Sequence, residues 1–170
     1  MVEQTVKALQ EADVAIIMVD GRSGITAADE HVAQLARKHA KKTWLAVNKA
    51  EGLDAAVASS EFHSLGIGEP HAISAAHGDR VSALIEAVLE EFENDADAAG
   101  EQPEDDEELR IAVVGRPNAG KSTLINRLLG EERLLTGPEA GITRDSISLP
   151  LDWEGLPVRI FDTAGLRKKA

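Results

Sequence analysis

Hydrophobic positions along the chain fall into two kinds of run that take turns. Ala12–Asp20 (ADVAIIMVD), Thr43–Val47 (TWLAV) and Leu109–Val114 are short, nearly continuous apolar stretches rich in β-branched residues, which predict strands buried on both faces. His71–Ser74 predicts a third, shorter strand in the first part of the chain. Between them the apolar residues recur at helical spacing. Met1–Glu11 places Val2, Val6 and Leu9 on one side, and Val32, Leu35, Ala36 and His39 follow a start marked by Thr26 or Asp29. A further helix is expected over about 55–65. The clearest stripe is Val81, Leu84, Ile85, Val88, Leu89 and Phe92, and a last helix-like run, Thr123–Leu129, stops at Gly130. Glu131–Ser146 reads as irregular. Ile147–Leu151 and Leu156–Phe161 alternate as a hairpin joined by residues 152–155. Strands alternating with helices predict an α/β fold of three layers, a mostly parallel sheet with helices on both faces.

Composition narrows this picture. A length of 170 residues suits one domain or two small pieces, and 43% hydrophobic residues supply a core. Aromatic residues are only 3%, so Val, Ile, Leu and Ala must fill it. There is no cysteine, hence no disulfide and no thiolate metal site. No apolar run approaches the ~18 residues of a membrane span, and Met1-Val2-Glu3-Gln4 lacks a signal-peptide pattern; the expected compartment is the cytoplasm. The net charge of −12 is unevenly spread: −6 over residues 1–92, −9 over 93–109 with no basic residue, and +3 over 110–170. The middle block has the composition of a solvated linker. An acidic total argues against broad affinity for nucleic acid, so direct DNA binding is not expected. The five histidines (31, 39, 63, 71 and 77) show no metal-ligand spacing and read as surface or helix-end residues.

The chemistry begins where Leu109–Val114 runs into Gly115-Arg116-Pro117-Asn118-Ala119-Gly120-Lys121-Ser122, with Thr123 opening the following helix. This is G-x-x-x-x-G-K-S between a strand and a helix, the context a phosphate-binding loop requires. Glycines let backbone N–H groups curl around phosphate oxygens, and the open helix end adds donors and a positive dipole end. Lys121 supplies a charge to the β- and γ-phosphates, and Ser122 offers a hydroxyl to Mg²⁺. Roughly 40 residues on, a strand runs into Asp162-Thr163-Ala164-Gly165. An Asp there suits Mg²⁺ held through water, and Gly165 suits a backbone N–H close to a γ-phosphate. Thr143, in the irregular segment between, suits a hydroxyl sensing both. Alone, each of these is a common strand end or loop residue; their order and spacing make the signal specific.

Two further strand ends carry base chemistry. Asn48-Lys49-Ala50-Glu51 offers an amide for a purine edge, an aliphatic stem for the ring face, and a carboxylate that accepts two N–H donors from guanine but no such pair from adenine. Ser74-Ala75-Ala76 stands one strand later and completes a candidate base pocket.

Together these motifs resemble the five of Ras-like translational GTPases, in the order base motif, second base motif, P-loop, switch I, switch II. The similarity is closer to the Der (EngA) family, bacterial GTPases with two G domains in tandem joined by an acidic linker. Residues 1–92 resemble the back half of the first G domain (VDGRSGITAADE, VNKAEG, ISAAHG). Residues 110–170 resemble the front half of the second (IAVVGRPNAGKSTLINRLLGEER, GITRDSI, FDTAGLRKKA), with 93–109 between them. The first P-loop and its switches, the second G domain's base motifs and a C-terminal KH-like domain have no counterpart in the sequence. Glu51 replaces the usual Asp, and Leu166 replaces the water-orienting Gln. Asn118 matches a residue that ligates K⁺ in potassium-dependent relatives, so the resemblance implies Mg²⁺ and K⁺ as cofactors, GTP and GDP as ligands, and the 50S ribosomal subunit as partner of the parent protein. The resemblance implies no membrane partner.

Neither part holds a whole site, but joined they hold each motif once in circularly permuted order. A flexible linker of 17 residues would span ~20–25 Å, enough to return from Phe92 to Leu109. The expectation is therefore one P-loop domain with a single sheet, which contacts between Val114 and the 14–20 strand would support; the competing expectation is two detached pieces with unpaired strand edges. Three functions follow: a GTPase, a binding module that holds GDP or contacts the ribosome without turnover, and an ATPase, which guanine selectivity would reject.

Overall fold

The computed structural model describes residues 2–98, 108–116, 118–130 and 147–162. Ten residues of amphipathic helix, α1 (Val2–Glu11), lead into β1 (Val14–Asp20), and the chain continues through α2 (Ala27–His39), β2 (Thr43–Asn48), α3 (Ala55–Ser60) and β3 (Pro70–Ala72) to α4 (Val81–Ala98). Then come β4 (Leu109–Gly115), α5 (Lys121–Leu129), β5 (Ile147–Trp153) and β6 (Leu156–Asp162).

All six strands form one sheet in the order β3-β2-β1-β4-β6-β5. Every neighbouring pair is parallel except β5 with β6. The centre of the sheet is where the two parts of the chain meet. β1 and β4 pair from Val14↔Ile111 to Met18↔Gly115, with Ile17 opposite Val114. This is the contact expected of a single domain, and it places both strands' C-terminal ends at one edge.

Alternation along these central strands builds the two cores. Val14, Ile16 and Met18 of β1 join Ile111 and Val113 of β4 on one face, under Leu84, Ile85 and Val88 of α4 and Leu124, Ile125 and Leu128 of α5. On the other face Ala15, Ile17, Val19, Ala112 and Val114 pack with Leu9 of α1, Ala33 and Ala36 of α2, and Phe62. Each buried branched side chain stabilises by about 1.5–3 kcal/mol relative to exposure, so the unbroken runs are what hold the two parts together.

The hydroxyl of Thr26 accepts from the Asp29 amide, and the Asp29 carboxylate accepts from the Thr26 amide, so both anticipated capping residues act, one at the cap and one a turn in. The helix expected over 55–65 breaks in two: α3 ends at Ser60, and Glu61–Leu65 is a 3₁₀ helix stopped by Gly66 at φ 69°. Ser60 and Ser64 hydroxyls donate to the carbonyls of Val57 and Glu61, competing with the α ladder. The tighter turn stacks Phe62 and Leu65 three apart, both buried. β3 begins at Pro70 and ends at Ala72, two residues before the expected end. Ile73 still donates to the Val47 carbonyl at 2.8 Å, but Ser74 turns away to bridge Asp79. α4 continues to Ala98 and β4 begins at Leu109, so regular structure enters both ends of the acidic stretch. The hairpin turn narrows to Glu154-Gly155, at φ 51° and 89°, with the Asp152 carboxylate accepting from the Gly155 amide at 2.7 Å.

Candidate functional site

The C-terminal edge of the sheet gathers the loops that follow β1, β2 and β4, and the turn after β3. The P-loop candidate leaves β4 at Gly115. A Cβ there would lie 2.6 Å from the Met18 carbonyl oxygen of β1, so only glycine lets the two backbones approach. Asn118 takes φ 70°, Ala119 N–H donates to the Arg116 carbonyl at 3.3 Å, and Gly120 at φ 106° opens α5. Lys121 is 5% exposed; its ammonium donates to the carbonyls of Gly115 at 2.7 Å and Arg116 at 3.1 Å. The side chain therefore folds back over the loop, a charge fixed at its mouth. Ser122 is buried at the first turn of α5 and Thr123 is half-buried.

Asn48 ends β2 and is 3% exposed. Its Nδ2 donates to the Ala119 carbonyl at 2.8 Å, and its Oδ1 accepts from the Ala75 N–H at 2.9 Å. One side chain thus ties the P-loop to the Ser74-Ala75-Ala76 loop. The sequence reading gave it only a purine edge to meet. A carboxamide carries two N–H donors and two acceptor lone pairs, and the bonds to described residues use one of each.

Lys49 sits at φ 63° and its ammonium pairs with the Asp20 carboxylate at 3.0 Å. Burial pushes the Asp20 carboxyl up, but hydrogen bonds from the Arg22 amide, the Lys49 ammonium and Ser23, with the Lys49 charge, outweigh it and hold the group below its ordinary value. Arg116 reaches from the P-loop to the same carboxylate at 3.7 Å and to buried Asp29 at 3.5 Å. Glu51 has its carbonyl held by the Arg22 guanidinium and its Oε1 3.8 Å from Nε2 of His77. Its Oε2 is buried and has no hydrogen-bond partner among the described residues, a carboxylate oxygen desolvated but unsatisfied there. A ligand N–H donor would remove that cost.

The structure brings together Asn48, Lys49, Glu51, Ser74, Ala75 and Ala76 with Gly115, Arg116, Asn118, Ala119, Gly120, Lys121, Ser122 and Thr123 at one edge. Pro117, Thr143, Thr163, Ala164, Gly165 and Leu166 lie outside the described residues. Of Asp162 only the backbone is described; it ends β6 beside Val113 of β4. Sequence reasoning missed Arg127 of α5, whose Nε donates to the Ala75 carbonyl at 3.3 Å and whose Nη2 donates to the Ala76 carbonyl. Its only sequence signal was a basic residue in the last turn of a helix, ordinarily read as a partner for the helix dipole.

Residues 110–170 match the family described as 50S ribosome-binding GTPase. GTPase Der of Nitrosospira multiformis is 50% identical over 169 residues, covering 99% of this chain and 35% of that protein. GTPase Der of Chromobacterium violaceum is 48% identical over 170 residues, 100% of this chain and 35% of that protein. GTPase Der of Ruegeria sp. strain TM1040 is 47% identical over 193 residues, 98% and 39% respectively. In solved structures, YjeQ from Thermotoga maritima shares the fold at a TM-score of 0.57 and 19% identity, over 88% of this chain and 47% of that one. The chain spans little more than a third of the curated relatives it matches. Over nearly its whole length, then, the chain is similar to a segment of proteins named GTPase Der.

Proposed function

We propose that this chain binds guanine nucleotides across the sheet edge and hydrolyses GTP to GDP and phosphate, the parent protein acting as a switch in 50S ribosomal subunit biogenesis. The observation that carries this reading is the Asn48 side chain, which fastens the loop for phosphates to the loop for the base at 2.8 and 2.9 Å. In this reading 1–92 is the base-recognition half, 93–109 the linker and 110–170 the phosphate half. The P-loop amides and Lys121 hold the phosphates. Glu51 selects guanine through its unsatisfied oxygen, and the Lys49 stem covers the ring.

The donor set fits a hard divalent cation: the buried Ser122 brings a hydroxyl at the first turn of α5, and Thr143 and Asp162 would add oxygen chemistry. Mg²⁺ held there would neutralise charge on the phosphates. Leu166 brings no group to orient water, so turnover rests on fixed charge and placement by Lys121, the loop amides and the Gly165 amide. Asn118 is the candidate K⁺ ligand, and faster turnover in K⁺ than in Na⁺ buffer, lost in Asn118→Ala, is expected.

The test is phosphate release from GTP with the 170-residue chain in excess, under single-turnover conditions. Release abolished by Lys121→Ala supports the enzymatic reading. Tight GDP binding without release would make the chain a binding module instead.

A further inference from the structure

The candidate base loop is held from behind by the helix that follows the P-loop. The Ala75 and Ala76 carbonyls both accept from Arg127, and Gly78, at φ 78°, lies under that guanidinium; a Cβ on Gly78 would meet its Cζ and Nε at 3.4 Å. Arg127 itself is exposed, so the contact is not a by-product of core packing. No peptide bond among the described residues is cis. In a trans peptide the C=O and the next residue's N–H point opposite ways. With the Ala75 carbonyl turned to α5, the Ala76 N–H faces away from it. The following peptide obeys the same rule: the Ala76 carbonyl faces Arg127, and the His77 N–H reaches the Ser74 hydroxyl at 3.3 Å. The Ala75 N–H is already spent on Asn48.

We propose that Arg127 is a positioning residue for base specificity: its two-pronged grip on Ala75 and Ala76 fixes the Ala76 N–H as a donor to the 6-oxo group of guanine. The inference rests on the guanine-nucleotide reading above. A donor at that point accepts guanine's carbonyl and rejects adenine's amino group, and it complements Glu51, which reads the N–H edge. A planar guanidinium fork serves two adjacent carbonyls where a lysine ammonium, a point charge on a flexible stem, serves them poorly.

The experiment compares affinities of the 170-residue chain for GDP, 6-thio-GDP, IDP and tripolyphosphate, in the wild type and in Arg127→Ala and Arg127→Lys. Sulfur is a weaker acceptor than oxygen, so the GDP to 6-thio-GDP ratio reports on the donor. The GDP to IDP ratio reports on Glu51, and tripolyphosphate reports on the P-loop. The wild type is expected to prefer GDP to 6-thio-GDP by roughly tenfold, the scale of one good hydrogen bond. Arg127→Ala should bring that ratio close to one and leave the IDP ratio and tripolyphosphate affinity in place; Arg127→Lys should fall between. An unchanged GDP to 6-thio-GDP ratio in both variants overturns the inference and leaves the nucleotide reading standing. A wild type without preference for GDP over ADP overturns both.

Discussion

Removing the Asn48 side chain is the sharpest perturbation of the join between the two parts. Asn48→Ala deletes a donor to the Ala119 carbonyl and an acceptor for the Ala75 N–H. Both alanines are 0% exposed, so neither backbone group regains water easily. Each intramolecular bond is worth about 1 kcal/mol net, and a buried group left unpaired costs about 1–3 kcal/mol. Together these give an expected loss of about 2–4 kcal/mol, with some relief if a water enters the vacated space. For a chain of this size that is a fall in Tm of about 5–15 °C, readable by thermal or urea unfolding without nucleotide. Asn48→Asp separates the two bonds: it keeps an acceptor for Ala75 but sets a carboxylate oxygen against the Ala119 carbonyl, and should destabilise at least as much. Lys41→Ala is the control, because the side chain it removes is exposed. An Asn48→Ala protein within about 0.5 kcal/mol of wild type, the scatter of ordinary surface substitutions, refutes the claim that this side chain locks the site together.

Other consequences are open to direct measurement. Gly120→Ala would bring a Cβ to 2.1 Å from Asn48 Nδ2 at φ 106°, so it should destabilise, and a double-mutant cycle with Asn48→Ala should show clear non-additivity as the clash partner disappears. Gly115→Ala meets the Met18 backbone oxygen at 2.6 Å, which cannot rotate away; overpacking of this kind costs about 1–3 kcal/mol, and no change in urea midpoint would count against the described β1–β4 approach. Asp20 has a folded pKa below its unfolded value, so its contribution is present above the usual carboxylate range and is lost as pH falls through the folded value. Accordingly the stability gap between wild type and Asp20→Asn should be constant near neutrality and close below about pH 4; a gap independent of pH contradicts the ion pair with Lys49. Glu51→Ala should erase discrimination between GDP and ADP while leaving tripolyphosphate binding intact.

The sheet was legible because its central strands are buried on both faces. Ile16 and Ile17 face opposite cores, and so do Val113 and Val114, which leaves continuous apolar runs that read as nothing else. The P-loop was legible because Gly115, Gly120, Lys121 and Ser122 carry their chemistry in one contiguous stretch. The break of the 55–65 helix was not, because it depends on Ser60 and Ser64 choosing backbone carbonyls over solvent. The tie through Asn48 joins residues 71 and 27 positions away, and it exists only once β1 pairs with both β2 and β4. Arg127 was missed for the same reason: local sequence offered it a helix end, and the tertiary fold gave it two carbonyls more than fifty residues earlier in the chain.

A single nucleotide is expected to bridge the two parts of this chain. Fluorescence titration of the 170-residue chain with mant-GDP measures that directly. Saturable one-to-one binding, displaced by GDP and GTP but not by ADP, and abolished by Lys121→Ala while weakened by Glu51→Ala, is the expected result. Binding that does not saturate, or that ADP displaces as well as GDP does, would contradict it.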